Sequence, residues 1–162
     1  MAAAASCRAE VARRAHYRCE YCGYPEAASS TPLEIDHIFS MLGLWHEVIT
    51  SNTAAEAATK AYAAKHLPGQ TLWLHQQDFR IHAQLQLAQD GAAKRIVDER
   101  NAIEKLLPVR LPNETTFAAI PVRYAIERGQ WAEAAALEPR GLSFPQAEAI
   151  VYFGRALGAA RD

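Results

Sequence analysis

From residue 45 onward, apolar side chains recur at spacings of three and four, the period of one helix face. "WHEVITSNTAAEAATKAYAAK", residues 45 to 65, runs without Gly or Pro until "HLPGQ" stops it, which predicts a helix with a defined end. Leu74, Asp78, Ile81, Leu85 and Ala88 continue the spacing, and "QDG" predicts a turn. In "AAKRIVDERNAIEKLL", Ile96, Val97, Ile103 and Leu107 form a stripe that predicts a helix reaching Pro108. "TTFAAIPVRYAIERG", "QWAEAAALEPRG" and "FPQAEAIVYFGRALGAARD" repeat the pattern, the last with Ala147, Ile150, Phe153 and Leu157 on one face. Whether Pro121 kinks a helix or starts one is open in the sequence. Short turns between amphipathic helices predict antiparallel helical hairpins.

The turns carry a weak repeat. "LGLWHEV", "LAQDGAA" and "ERGQWAEA" each place a small residue at the turn (Gly43, Ala88, Gly129) and a second marked position two residues on (Trp45, Asp90, Trp131). The aromatic followers, Trp45 and Trp131, are expected to pack between helices rather than stack on bases.

The first forty residues follow another plan. They hold all three cysteines, two prolines and the turn-rich "ASST", so the composition divides the chain into residues 1–39 and 40–162. An odd number of cysteines argues against a disulfide framework, and Cys19 and Cys22 form a C-x-x-C pair suited to metal or redox work, or else remain reduced thiols. "MAAAASCRAE" lacks the basic flank and apolar core of a secretion signal, and no run reaches the roughly eighteen apolar residues of a spanning helix, so a reducing, cytoplasmic setting without membrane is expected. A net charge of −1 gives the whole chain no general pull on phosphate backbones. Only Arg8, Arg13, Arg14 and Arg18 make a locally basic run, which reads as a solvated helix face or a nucleic-acid contact.

"HIFSMLGLWHEVITSN", "LHQQDFRIHAQLQLAQDGAAKRIVDERNAI" and "AAIPVRYAIERGQWAEAAALEP" resemble a group of bacterial tetratricopeptide-repeat proteins over residues 37 to 162. The resemblance implies a superhelical scaffold that binds peptide or protein partners without catalysis. The turns lie 45 and 41 positions apart, longer than the 34-residue tetratricopeptide period, so the repeats are irregular. Ile35 and Asp36 replace the group's Pro-Ser, Gln76 and Phe79 stand where Ala and Tyr are usual, and Arg80, Gln84 and Gln86 thin the apolar face. The resemblance also implies a further helix after Asp162 to cover Ile150, Phe153 and Leu157, whose exposure would favour a homodimer through the last helix.

"EVARRAHYRCEYCGYPEA…LEIDHI" resembles the first half of an HNH endonuclease over residues 8 to 38. That resemblance implies that Cys19 and Cys22 are structural zinc ligands, Asp36 a ligand for magnesium or manganese, and His37 the base that activates water. A thiolate pair at this spacing reaches one tetrahedral zinc, a carboxylate suits a hard divalent ion, and a neutral imidazole can take a water proton. His16 could add a third zinc ligand, or two chains could close a four-cysteine site. Asp36 could equally cap the following helix. No cysteine follows Cys22, so the second ligand pair of the family is missing; Asn52 falls near its expected asparagine, and His66 is a further candidate ligand.

The two resemblances meet on "HI" at 37 and 38, as a chimera or fragment would. The expectation is a mainly α protein: tetratricopeptide-like hairpins, incomplete at the C-terminus, behind a small N-terminal helix with a zinc knuckle and β-hairpin. Its expected function is a non-catalytic protein-interaction scaffold, the partner unnamed. The alternative is an HNH-type metal-dependent DNA endonuclease, degenerate or completed by dimerisation.

Overall fold

The computed structural model describes residues 43–161, together with Arg13, His16 and Tyr17. The chain divides into two compact units, Met1–Leu44 and Trp45–Asp162, and the architecture that follows is that of the second. The N-terminal helix, knuckle, β-hairpin and 39/40 boundary expected from the sequence lie outside the described residues.

Among the described residues the protein is mainly α, with six helices and no strand: α1 (Trp45–His66), α2 (Leu74–Gln86), α3 (Asp90–Asn101), α4 (Leu111–Glu127), α5 (Trp131–Ala135) and α6 (Pro145–Arg161). Consecutive helices from α1 to α5 pack on one another, α5 packs on α6, and the alternate helices α2, α4 and α6 form a continuous row. Lys60, late in α1, lies over Trp73 just before α2, while Trp45 at the start of α1 meets His82 late in α2, so these two helices are antiparallel. Asp78 pairs with Arg123 and His82 with Glu127, a constant offset that makes α2 and α4 parallel.

Two apolar clusters hold the row. Leu74, Ile81, Ala93, Ile96, Val97, Phe117, Ile120 and Tyr124 join α2, α3 and α4. Ala118, Val122 and Val151, with Ile126, Leu137, Leu142 and Ile150 against them, join α4 to α6. Each fully buried Leu or Ile contributes about 1.5–3 kcal/mol. By contrast α1 buries Val48, Asn52, Glu56 and Ala63, two of them polar, so its seat on α2 relies on hydrogen bonds.

The turn repeat has a backbone cause. Gly43, Ala88 and Gly129 have left-handed φ values of 69°, 54° and 66°, and each stands two residues before the first residue of a helix. After α2 and α4 the same closure forms: Gln89 N–H donates to the Gln84 carbonyl at 2.8 Å and Gln130 N–H to the Ala125 carbonyl at 3.0 Å.

Two sequence expectations need correction. "QDG" is not the turn; the turn is Leu87–Gln89 and Asp90 already opens α3. The third helix ends at Asn101 rather than running to Leu107; Thr71 holds Leu107 instead, its N–H and Oγ1 donating to the Leu107 carbonyl at 2.6 and 2.8 Å and its Oγ1 accepting from the Leu107 N–H at 3.3 Å. Ile103 and Leu106 still pack on the core from an irregular segment. Along α6 the buried residues are Ala147, Val151, Gly154 and Gly158, and of the stripe of Ala147, Ile150, Phe153 and Leu157 only Ala147 is buried, with Phe153 exposed. A Cβ on Gly158 would sit 2.4 Å from the Ala135 nitrogen, and one on Gly154 would sit 2.9 Å from Val122 Cγ1. The two glycines therefore let α6 press its backbone onto α5 and α4, which rotates the larger apolar side chains outward.

Pro121 lies inside α4. It brings no N–H to the Phe117 carbonyl four residues back. Arg100 Nε donates to that oxygen instead, at 2.8 Å, and the helix continues through the proline to Glu127.

Candidate functional site

The row of α2, α4 and α6 carries both a polar ladder and an apolar cleft. On α4, Arg123 and Glu127 are one turn apart and bonded at 3.1 Å. Arg123 Nε also donates to Asp78 Oδ1 at 3.2 Å, and Glu127 meets His82 Nδ1 at 3.0 Å and accepts from Gln86 Nε2 at 3.0 Å. The Trp45 ring meets His82 edge to face with centroids 5.2 Å apart, so the ladder ties α1, α2 and α4 together. Burial alone raises the Glu127 carboxyl, but the hydrogen bond and charge of His82 and those of Arg123 outweigh it, leaving Glu127 below its ordinary 4.5. Burial likewise lowers the Arg123 guanidinium, yet Asp78 and Glu127 more than restore it.

Arg123 and Glu127 form one wall of a cleft whose remaining lining is Ala119, Val122, Ile126, Ile150 and Phe153. Its volume is about 220 Å³. Pockets for drug-sized ligands and cofactors hold about 300–1,000 Å³, so this cleft fits one large side chain better than a cofactor. Phe153 at its lip is 63% exposed and its neighbour Tyr152 is 54% exposed, an unusual pair of aromatics to leave in water. The outward rotation of α6 forced by its glycines creates this lip.

A second polar group lies on the opposite flank of α2, where Gln77 is fully buried. Its Nε2 donates to Glu56 Oε1 on α1 at 3.0 Å and to Glu99 on α3. Lys60 bridges the same two carboxylates at 2.6 and 3.0 Å, and Arg80 bonds the other Glu56 oxygen. Burial raises the Glu56 carboxyl; the bonds from Lys60 and Gln77 and the Arg80 charge outweigh it, and the net shift is downward. With every charge in it matched, the group serves to seat α1 and α3 on α2.

Cys19, Cys22, Asp36 and His37 lie outside the described residues. Asn52 is buried in α1 and spends its amide on the Val48 carbonyl at 3.0 Å, within its own helix. His66 ends α1 in the open, its ring 4.6 Å from that of Tyr62. No group of three or more His, Cys, Asp or Glu residues able to hold a metal ion occurs among the described residues. Trp131 lies under Arg161, whose Cζ is 4.8 Å from its ring centroid, and a side chain added at Gly129 would meet its ring.

Sequence reasoning missed this group: the four-residue spacing of Arg123 and Glu127 is visible in the sequence, but that Asp78, His82 and Gln86 join them depends on the register of α2 beside α4. No helix among the described residues is long and apolar enough to cross a membrane. No protein-family model, curated protein or solved structure matches the chain.

Proposed function

We propose that the helical unit is a non-catalytic, tetratricopeptide-like scaffold that holds a peptide segment of a protein partner, with one apolar side chain of that segment seated in the α4/α6 cleft. The observation that carries this reading is the cleft itself: a side-chain-sized apolar hollow beside an exposed Phe153 and a prearranged ion-pair wall. Aromatic anchors beside a desolvated pocket are where interface energy concentrates. The row of alternate helices and the left-handed turns support the repeat-like part of the reading. Peptides selected from a random library on the full chain should lose at least about tenfold in affinity on Phe153→Asp and on Ala119→Asp, the loss of one anchor. Selected peptides indifferent to both substitutions would sink the proposal.

The C-x-x-C pair at Cys19 and Cys22, followed by Asp36 and His37, favours a second reading as a metal-dependent nuclease of HNH type. Plasmid nicking that needs magnesium or manganese and disappears in His37→Ala would establish it. Zinc measured by elemental mass spectrometry, with Cys19→Ser, Cys22→Ser as the blank, tests the knuckle separately.

A further inference from the structure

The cations of the helical unit are not treated alike. Lys60, Arg80, Arg123 and Arg128 are half-buried, and each is paired with one or two carboxylates. Arg100, at 5% exposure the most buried of all, has none among the described residues. Its Nε donates to the Phe117 carbonyl and its Nη1 to Asn101 Oδ1 at 2.8 Å, both neutral acceptors. Its guanidinium stacks on Phe117 with Cζ 3.6 Å from the ring centroid.

A second guanidinium is brought to the same ring: Arg140 Cζ lies 5.7 Å from that centroid, from an exposed position and again without a carboxylate among the described residues. Burial, and the Arg140 charge beside it, pull Arg100 down to about 10, so it is still a cation at neutral pH. A second positive charge beside an uncompensated buried one is unfavourable, and an anion shared between them would offset that cost. The hydrogen bond to Phe117 accounts for Arg100 Nε; it does not neutralise the charge, and it does not account for Arg140.

We infer that Arg100 and Arg140 form a binding site for an oxyanion, a phosphate or carboxylate group, beside the Phe117 ring. Guanidinium N–H groups match the paired oxygens of either anion, and Arg140 supplies the solvent-facing half of the grip. The site is separate from the α4/α6 cleft and does not depend on what that cleft holds.

The test is the melting temperature of the full chain at pH 7 against sodium phosphate, sodium acetate or sodium chloride at matched ionic strength. A saturating rise with phosphate or acetate that chloride does not reproduce is expected, since an anion bound only to the native state raises its stability. Arg140→Ala should weaken the apparent affinity by at least about tenfold, the effect of one charge-assisted contact. Arg155→Ala, an exposed arginine on α6, should leave it unchanged. A response to phosphate alone assigns a phosphoryl ligand, and a response to acetate assigns a carboxylate. Equal curves for all three salts, or equal losses in the two arginine variants, overturn the site.

Discussion

Arg100 Nε lies 2.8 Å from the Phe117 carbonyl, the oxygen that Pro121 leaves without its helical donor. A proline inside a helix ordinarily breaks or kinks it at a cost of about 3 kcal/mol. Here a side chain from the preceding helix supplies the missing donor, and the bonded pair fixes α3 against α4.

Replacing Arg100 by Ala removes the donor and the stacked guanidinium, and should destabilise the protein by about 1–3 kcal/mol, the usual cost of a buried carbonyl left unpaired. In a Pro121→Ala background the helix provides its own N–H, so the same substitution should cost about 1 kcal/mol less. Denaturant unfolding of the four proteins in the cycle measures this coupling. Simple additivity would show that Arg100 does not act for the missing proline N–H.

Glycine substitutions should rank by what a methyl group meets. Gly158→Ala drives Cβ into the α5 backbone, and should cost more than about 2 kcal/mol because backbone cannot step aside. Gly154→Ala meets only side-chain methyl groups, of Val122 and Leu137, and should cost less. Gly91 in α3 faces open space, and Gly91→Ala should stabilise by about 0.5–1 kcal/mol through helix propensity. Urea midpoints in any other order would contradict the close approach of α6.

Ala88 holds a left-handed conformation that costs a residue with a Cβ about 1–2 kcal/mol. Ala88→Gly should therefore raise stability by about 0.5–1 kcal/mol, once the entropy of the more flexible unfolded chain is set against the relieved strain. Gly129→Ala, at the equivalent turn, should lower it by a similar amount. Thermal unfolding of the two variants should move in opposite directions.

Glu56 and Glu127 are held below their ordinary 4.5 in the native state, so the unfolded chain binds protons more readily than the folded one as acid is added. Their contribution is present above pH 4.5 and is lost as pH falls from there through their lower native values. Stability measured from pH 7 down to pH 3 should fall, and Glu127→Gln should flatten part of that fall. An unchanged slope in the variant would mean that the His82 and Arg123 contacts do not favour the ionised carboxylate.

Much of the helical unit was legible before any coordinates. Helix spacing and the Gly and Pro stops predicted α1 as residues 45 to 65, and the structure places it at Trp45–His66. The repeat of small residues at 43, 88 and 129 marked three left-handed positions, and at 88 and 129, after α2 and α4, a helix that closes this way calls for a residue with little or no side chain. Periodicity also put Ile81, Ile96 and Val97 on the recurring helix faces, and all three lie in the core, since one face of an isolated helix is already encoded in its spacing.

Where that spacing failed, contacts distant in sequence had intervened. Thr71 bonds Leu107 outside α3, while Gly158 packs on the α5 backbone and Gly154 on Val122 of α4, ahead of the larger Ile150 and Phe153. The cleft and its aromatic lip follow from that choice of face. So do the partners of Glu127, which depend on α2 lying parallel beside α4. By itself the sequence determined which segments are helical and where several of them stop, because those are properties of a few neighbouring residues. Only the tertiary structure decided which face each helix buries and which charges meet, because close approach and charge pairing depend on residues some 20 to 45 positions apart.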